Sequence, residues 1–207
     1  MFGLPKKFYS NLKQLNSPIK IQNFLNTFPI NHEKNGETYM SPLKTLRAKK
    51  MHCFEGAILA ALALWINGKK PLLLDLKTKR DYDHVVALYK INGHWGCISK
   101  TNHGVLRWRD PIYKTVRELA VSYFHEYFDN DTLKKTLRSY SEPFNLSRFG
   151  TDWITSEKDL HWLVQALDKS KHHFIFPLKN LKHFRKADKI EVKIGRVIEW
   201  KKNHPKT

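Results

Sequence analysis

Of the two cysteines, Cys53 stands directly ahead of an apolar run in KKMHCFEGAILAALALWING, residues 49–68, where a helix would begin. The first turn of a helix leaves backbone N–H groups unpaired and carries the positive end of the dipole, so a thiol there favours its thiolate. That thiolate becomes an effective nucleophile toward a carbonyl when a base lies within hydrogen-bond reach and a third group orients the base. The chain offers both. His84 opens the apolar stretch HVVALYKI (84–91), and Asp110 precedes Pro111 in VLRWRDP (105–111). A helix start and two strand ends bring three side chains together without relying on flexible loops.

The elements that must position these residues are readable around them. SPIKIQNFLNTFP (17–29) predicts a short helix, capped by Ser17, with Pro18 in its first turn and Ile21, Phe24, Leu25 and Phe28 on one face. INHEKNGETYM (30–40) predicts a loop, and SPLKTLRAKK (41–50) a second Ser-Pro helical turn with Leu43 and Leu46 inward. The cysteine helix is expected to stop at Asn67-Gly68. PLLLDL (71–76) predicts a buried strand. HVVALYKI, Asn92-Gly93 and HWGCISKT (94–101) predict a hairpin, because Asn-Gly suits a type I′ turn, and VLRWRDP a third antiparallel strand ending at Asp110-Pro111. TVRELAVSYFHEYF (115–128) carries Thr115 and Glu118 at capping-box spacing ahead of a helical apolar face, and SEKDLHWLVQAL (156–167) repeats the pattern. HHFIFPL (172–178) and DKIEVKIGRVIEW (188–200) predict late strands, the second from the pattern of Ile190, Val192, Ile194 and Val197. Helices, then a small antiparallel sheet, then more helices and strands make an α+β chain.

MHCFEGAILAALALW, DHVVALY, GHWGCIS and RWRDPIY resemble the transglutaminase-like superfamily, a branch of the papain-like cysteine enzymes. The resemblance covers roughly residues 17–128, with its motifs inside 53–113. It implies a single domain over 1–207, with a core at about 17–128 and an extension at about 129–207. In that core a buried helix carrying the cysteine packs on a small antiparallel sheet carrying the histidine and aspartate. It assigns Cys53 as nucleophile, His84 as base and Asp110 as orienter. The implied reaction is acyl transfer on a protein or peptide-like amide without a cofactor, completed by water as in a peptidase or amidase, or by an amine as in a transglutaminase. Two features depart from the family pattern. Val85 and Val86 follow His84 where an aromatic is usual, and the interval to Asp110 carries extra residues around SKTNHG. The oxyanion donor expected from the residues themselves is the backbone N–H of Cys53.

Other residues have plainer roles. Cys97, between Gly96 and Ile98, is expected in core packing, as are Trp95 and Trp108. Glu55 suits the first turn of a helix, and Gly56 would let a neighbour pack beneath the site. A metal is not expected. His94 and Cys97 fall on opposite faces of a strand, and no paired C-x-x-C or H-x-x-x-H is present.

The net charge of +18 divides unevenly. Residues 1–50 hold nine Lys and Arg against two Asp and Glu, and residues 171–207 eleven against three, whereas 51–170 hold seventeen against fourteen. Basic flanks attract anionic partners through a field without sequence preference. They support a second reading, a catalytically inactive basic module that docks on nucleic acid or another polyanion, although no RNA-recognition or zinc-finger pattern accompanies the charge. Two cysteines cannot make a disulfide framework, and MFGLPKKFYSNLKQLN lacks the apolar run of a signal peptide. The longest apolar run, 57–66, is ten residues, about half of what spans a bilayer. A cytoplasmic protein with no membrane span is the expectation.

Overall fold

The computed structural model describes residues 2–33 and 36–199. Four helices come first: α1 (Lys6–Gln14), α2 (Pro18–Asn26), α3 (Pro42–Ala48) and α4 (Cys53–Ile66). Ser17 and Ser41 cap α2 and α3 by accepting from the backbone N–H of Lys20 and Lys44, and each helix starts on a proline that loses no bond there. Sequence periodicity gave no sign of α1. It is fastened to the end of α4, where Lys13 Nζ donates to the Ile66 carbonyl at 3.0 Å and Asn67 Nδ2 donates to the carbonyls of Leu12 and Leu15.

Twelve of the fourteen residues of α4 are buried, which is why its composition is apolar all round rather than striped. α1, α2 and α3 pack around it, and β1 and β2 support it from the sheet side. Its alanines (Ala57, Ala60, Ala61 and Ala63) leave almost no side chain to hold those neighbours away.

The sheet is antiparallel throughout. Its strands are β1 (Leu72–Thr78), β2 (His84–Ile91), β3 (His94–Ile98) and β4 (Arg109–Tyr113). After α5 (Val116–Val121) come β5 (Leu137–Ser141) and β6 (Phe144–Asn145). Two short helices follow, α6 (Asp152–Thr155) and α7 (His161–Asp168), then β7 (His172–Phe174) and α8 (Lys189–Gly195). The strand order is β4-β3-β2-β1-β5-β7, with β6 pairing the first half of β1. Asn92 and Gly93 both take positive φ, 49° and 82°, as the predicted type I′ hairpin requires. Alternation then sorts β2. Val85, Ala87 and Tyr89 join Leu73 in the core around α4, while Val86 and Leu88 join Leu74, Leu76 and Cys97 beneath Leu119, Tyr123 and Tyr127.

Several expected boundaries differ. β4 begins at Arg109 rather than ending at Pro111, and as the last strand of the sheet it tolerates a proline that donates nothing to a ladder. The helix expected over 115–128 is α5 alone, followed by a 3-10 turn at Phe124–Glu126. Residues 156–167 supply only α7, which starts at His161. The expected strand at 188–200 is instead the helix α8. Asp188 accepts from the N–H groups of Ile190 and Glu191 and Glu191 accepts from the Asp188 N–H, a capping box that overrides the alternation. Trp200 and the basic residues Lys201, Lys202 and Lys206 lie outside the described residues. No helix among the described residues is long and apolar enough to cross a membrane.

Candidate active site

Helix α4 begins at Cys53 because His52 ends the extended chain and caps it. His52 has φ −100° and ψ −170°, its Nδ1 lies 3.3 Å from the Phe54 N–H, and its own N–H donates to the Glu55 carboxylate at 3.0 Å. Glu55 is fully buried, yet its carboxylate is well bonded. It also accepts from the Met40 N–H at 3.1 Å, from Thr38 Oγ1 at 2.9 Å and from Asn31 Nδ2 at 3.3 Å. The residue expected only as a first-turn acid thus ties the preceding loop to the start of the helix. Gly56, one residue on, admits Lys100. A Cβ there would fall 2.5 Å from Lys100 Cβ.

Cys53 is partly exposed at the helix start. Burial alone would push its thiol up, but hydrogen bonding and charge from His52 and His84 outweigh that and bring it from the ordinary 9 down to about 5. His52 moves the opposite way. Burial disfavours its charge, whereas the Cys53 thiolate and the Glu55 carboxylate favour it, raising the ring to about 9. Both directions favour a thiolate–imidazolium pair, in which the protonated Nδ1 of His52 donates to the sulfur and no longer accepts from the Phe54 N–H.

Hydrogen bonds assign the ring protons. His52 Nε2 lies 2.7 Å from the Thr38 carbonyl, which can only accept, so Nε2 carries a proton and Nδ1 is the site that protonates or deprotonates. His84, 4% exposed, opens β2 with its Nε2 2.8 Å from Ser99 Oγ. Ser99 donates its one hydroxyl hydrogen to the Leu106 carbonyl at 2.7 Å, so it must accept from His84 Nε2–H. This leaves Nδ1 as the His84 ring nitrogen available to Cys53. Upstream, the Asp83 carboxylate accepts from the Thr78 N–H and from Lys77 Nζ, both at 2.7 Å, which holds the chain just before His84.

The structure brings Cys53 and His84 together and places Asp110 elsewhere. The Asp110 side chain is exposed and accepts from the Trp108 indole N–H at 2.9 Å, while the His84 ring bonds to Ser99. Asp110 lies on the edge strand β4, one strand beyond the segment that supplies Ser99.

The three residues Cys53, His52 and His84 line a cleft of about 400 Å³, shared with Asp81, Lys100 and Tyr127. Lys100 has a fully buried side chain, donates to the Phe28 carbonyl at 2.6 Å and lies 4.0 Å from the Glu199 carboxylate. The other cysteine is of a different kind. Cys97 is buried, its thiol pushed up to about 11 by burial, and it lies 3.0 Å from the Tyr123 hydroxyl. Among the described residues no cluster of three His, Cys, Asp or Glu could hold a metal ion.

His52 and Ser99 escaped sequence reasoning for different reasons. Histidine is not a customary helix cap, so nothing marked His52 beyond its place beside the thiol. Ser99 had a signal. The Asn92-Gly93 turn pairs Ile91 with His94 and Ala87 with Ile98, and that register continued puts Ser99 diagonal to His84 on one face.

A scan against protein-family models and a search of curated proteins returned no match to this chain.

Proposed function

We propose that the protein is a cysteine-dependent acyl-transfer enzyme of the transglutaminase-like kind, with Cys53 as nucleophile and a peptide-like amide as substrate. The observation that carries this reading is a thiol drawn down to about 5 between two histidines, at the N-terminus of a buried helix and open to a cleft. A cysteine used only for packing resembles Cys97, with its thiol pushed up.

The chemistry follows from the protons. The Cys53 thiolate attacks the carbonyl carbon, forming a C–S bond and an oxyanion that faces the Cys53 N–H and the positive end of α4. The proton that the Cys53 thiol gave up to the histidines beside it passes by way of His84 Nδ1 to the leaving amine as the C–N bond breaks, which leaves an acyl-thioester. Water or an amine then attacks that thioester, His84 Nδ1 accepts its proton, and the thiolate departs. Ser99 takes the part that the sequence resemblance gave to Asp110. A hydroxyl whose own hydrogen is committed to Leu106 holds the imidazole in the tautomer with Nδ1 free. It supplies no negative charge, so His52 and its acidic neighbours carry the electrostatic share. Packing of α4 on an antiparallel sheet is compatible with a papain-like core.

The test uses p-nitrophenyl acetate, an activated ester. The expected result is a burst of nitrophenolate stoichiometric with enzyme and an acetyl group on Cys53 in the intact mass, both lost in Cys53→Ser. An acetyl group on lysine instead, with the burst retained in Cys53→Ser, would overturn the proposal.

A further inference from the structure

A second cavity, also about 400 Å³, lies between the start of β5 and the segment 178–186. Six basic side chains line it: Lys134, Lys135, Arg138, Lys182, Arg185 and Lys186. Two nearby carboxylates answer them. Glu191 lies 3.2 Å from Lys135 Nζ and 2.9 Å from Arg185, and Asp188 lies 3.3 Å from Arg185. No carboxylate among the described residues pairs with Lys134, Arg138, Lys182 or Lys186. Like charges repel, so six of them converging on one concavity raise the energy of the chain unless an anion is drawn in.

Arg138 makes this more than a solvated basic surface. Its Nη1 donates to the carbonyls of Lys135 at 2.8 Å and Leu137 at 3.0 Å, which fixes the guanidinium plane, and its Nε is buried with no hydrogen-bond partner. A buried donor left unused is destabilising, and a planar guanidinium fork matches the oxygens of a phosphate. Burial lowers the Arg138 pKa, and no carboxylate offsets it. The Ala187 N–H donates to the Leu133 carbonyl at 2.9 Å and ties the segment to the turn that precedes β5.

We propose that this cavity binds a compact oligophosphate, with Arg138 and Lys135 at its floor and Lys134, Lys182 and Lys186 at its rim. A single carboxylate would leave most of the positive charge unanswered. A triphosphate supplies several charges and enough acceptor oxygens, and a cavity of this volume is too small for a nucleic-acid duplex. The oligophosphate is either inorganic or the phosphate chain of a nucleotide.

The test is calorimetric titration of the full chain with inorganic tripolyphosphate and, separately, with adenosine triphosphate, at low and moderate salt. Both are expected to bind, less tightly as salt rises. Equal affinities assign recognition to the phosphate chain alone, and tighter adenosine triphosphate adds a contact to the base. The paired change Lys134→Gln and Lys186→Gln, both on exposed side chains, should weaken tripolyphosphate about tenfold. Lys6→Gln with Lys7→Gln removes the same charge from α1 and should leave affinity unchanged. Arg138→Lys keeps the charge without the fork and should also bind more weakly. Equal weakening by the two paired variants would show only the general field of a basic protein and overturn the proposal. So would an absence of tripolyphosphate binding at low salt, or a single-stranded oligonucleotide that binds and cannot be displaced by tripolyphosphate.

Discussion

Removing His52 and His84 one at a time measures how the thiolate at Cys53 is held. The thiol stands about four pH units below its ordinary value despite burial, which corresponds to about 5 kcal/mol in favour of the thiolate at ~1.4 kcal/mol per unit. Two imidazoles supply that preference and also offset burial, so the loss of either should move the Cys53 midpoint well up, to above about 7 if they share it equally, and the loss of both should carry it above 9, because burial then acts alone. The sign is fixed by the direction of the change. Below about pH 5 the thiol is protonated and alkylation falls, and from about 5 to about 9 the thiolate and the His52 imidazolium coexist and the rate is level. Iodoacetamide suits the measurement because it is uncharged. Second-order rates from intact mass across pH 4 to 10 give the midpoint for wild type, His52→Ala, His84→Ala and the double variant. At pH 7 Cys53 exceeds Cys97 in thiolate fraction by about 10⁴. Its lower intrinsic nucleophilicity takes back about 10^2.4 to 10³, so Cys53 should react roughly 10- to 40-fold faster before burial of Cys97 widens the gap. A midpoint that stays near 5 in both single variants would refute the coupling, and one that moves only in His84→Ala would remove His52 from it.

Two further outcomes separate positioning from packing. Ser99→Ala should raise the Cys53 midpoint and flatten the acyl-transfer pH profile, with Ser99→Thr restoring much of both, whereas Asp110→Asn should leave the midpoint where it is; a shift in Asp110→Asn equal to that in Ser99→Ala would return the orienting role to the aspartate. Gly56→Ala would drive a methyl to 2.5 Å from Lys100 Cβ in a buried contact, and about 1–3 kcal/mol of stability should be lost in denaturant unfolding, an unchanged midpoint arguing that Lys100 moves freely.

Where one physical cause dominated, sequence reasoning located the element. Residues 53–66 could only be a buried helix, since fourteen residues with so little polarity have no solvent face to offer. Asn92-Gly93 specified both the hairpin and its register. Where two causes compete, side-chain alternation is the weaker. At 188–195 an alternation of isoleucines pointed to a strand, yet Ile190 and Ile194 remain exposed, and the Asp188 to Glu191 capping box present in the same residues prevails. Asp110 illustrates a third case. Its spacing before Pro111 is a local property, but whether it meets His84 depends on the path of residues 99–108, which no periodicity describes. β5 and β6 were invisible because LRSYS and FN are too short and too mixed to alternate clearly.

The enclosure of α4 has a consequence for how the reactive group can fail. A helix touching solvent only near its two ends has little room for a partial opening of its interior, so the amide protons of its buried turns are expected to exchange with global unfolding. The nucleophile at its first residue inherits that all-or-none behaviour. Under rising denaturant the population of low-pKa thiolate declines in step with the native state. No half-opened species then carries an activated sulfur to stray electrophiles, because the helix start that activates Cys53 persists only while the fold is whole.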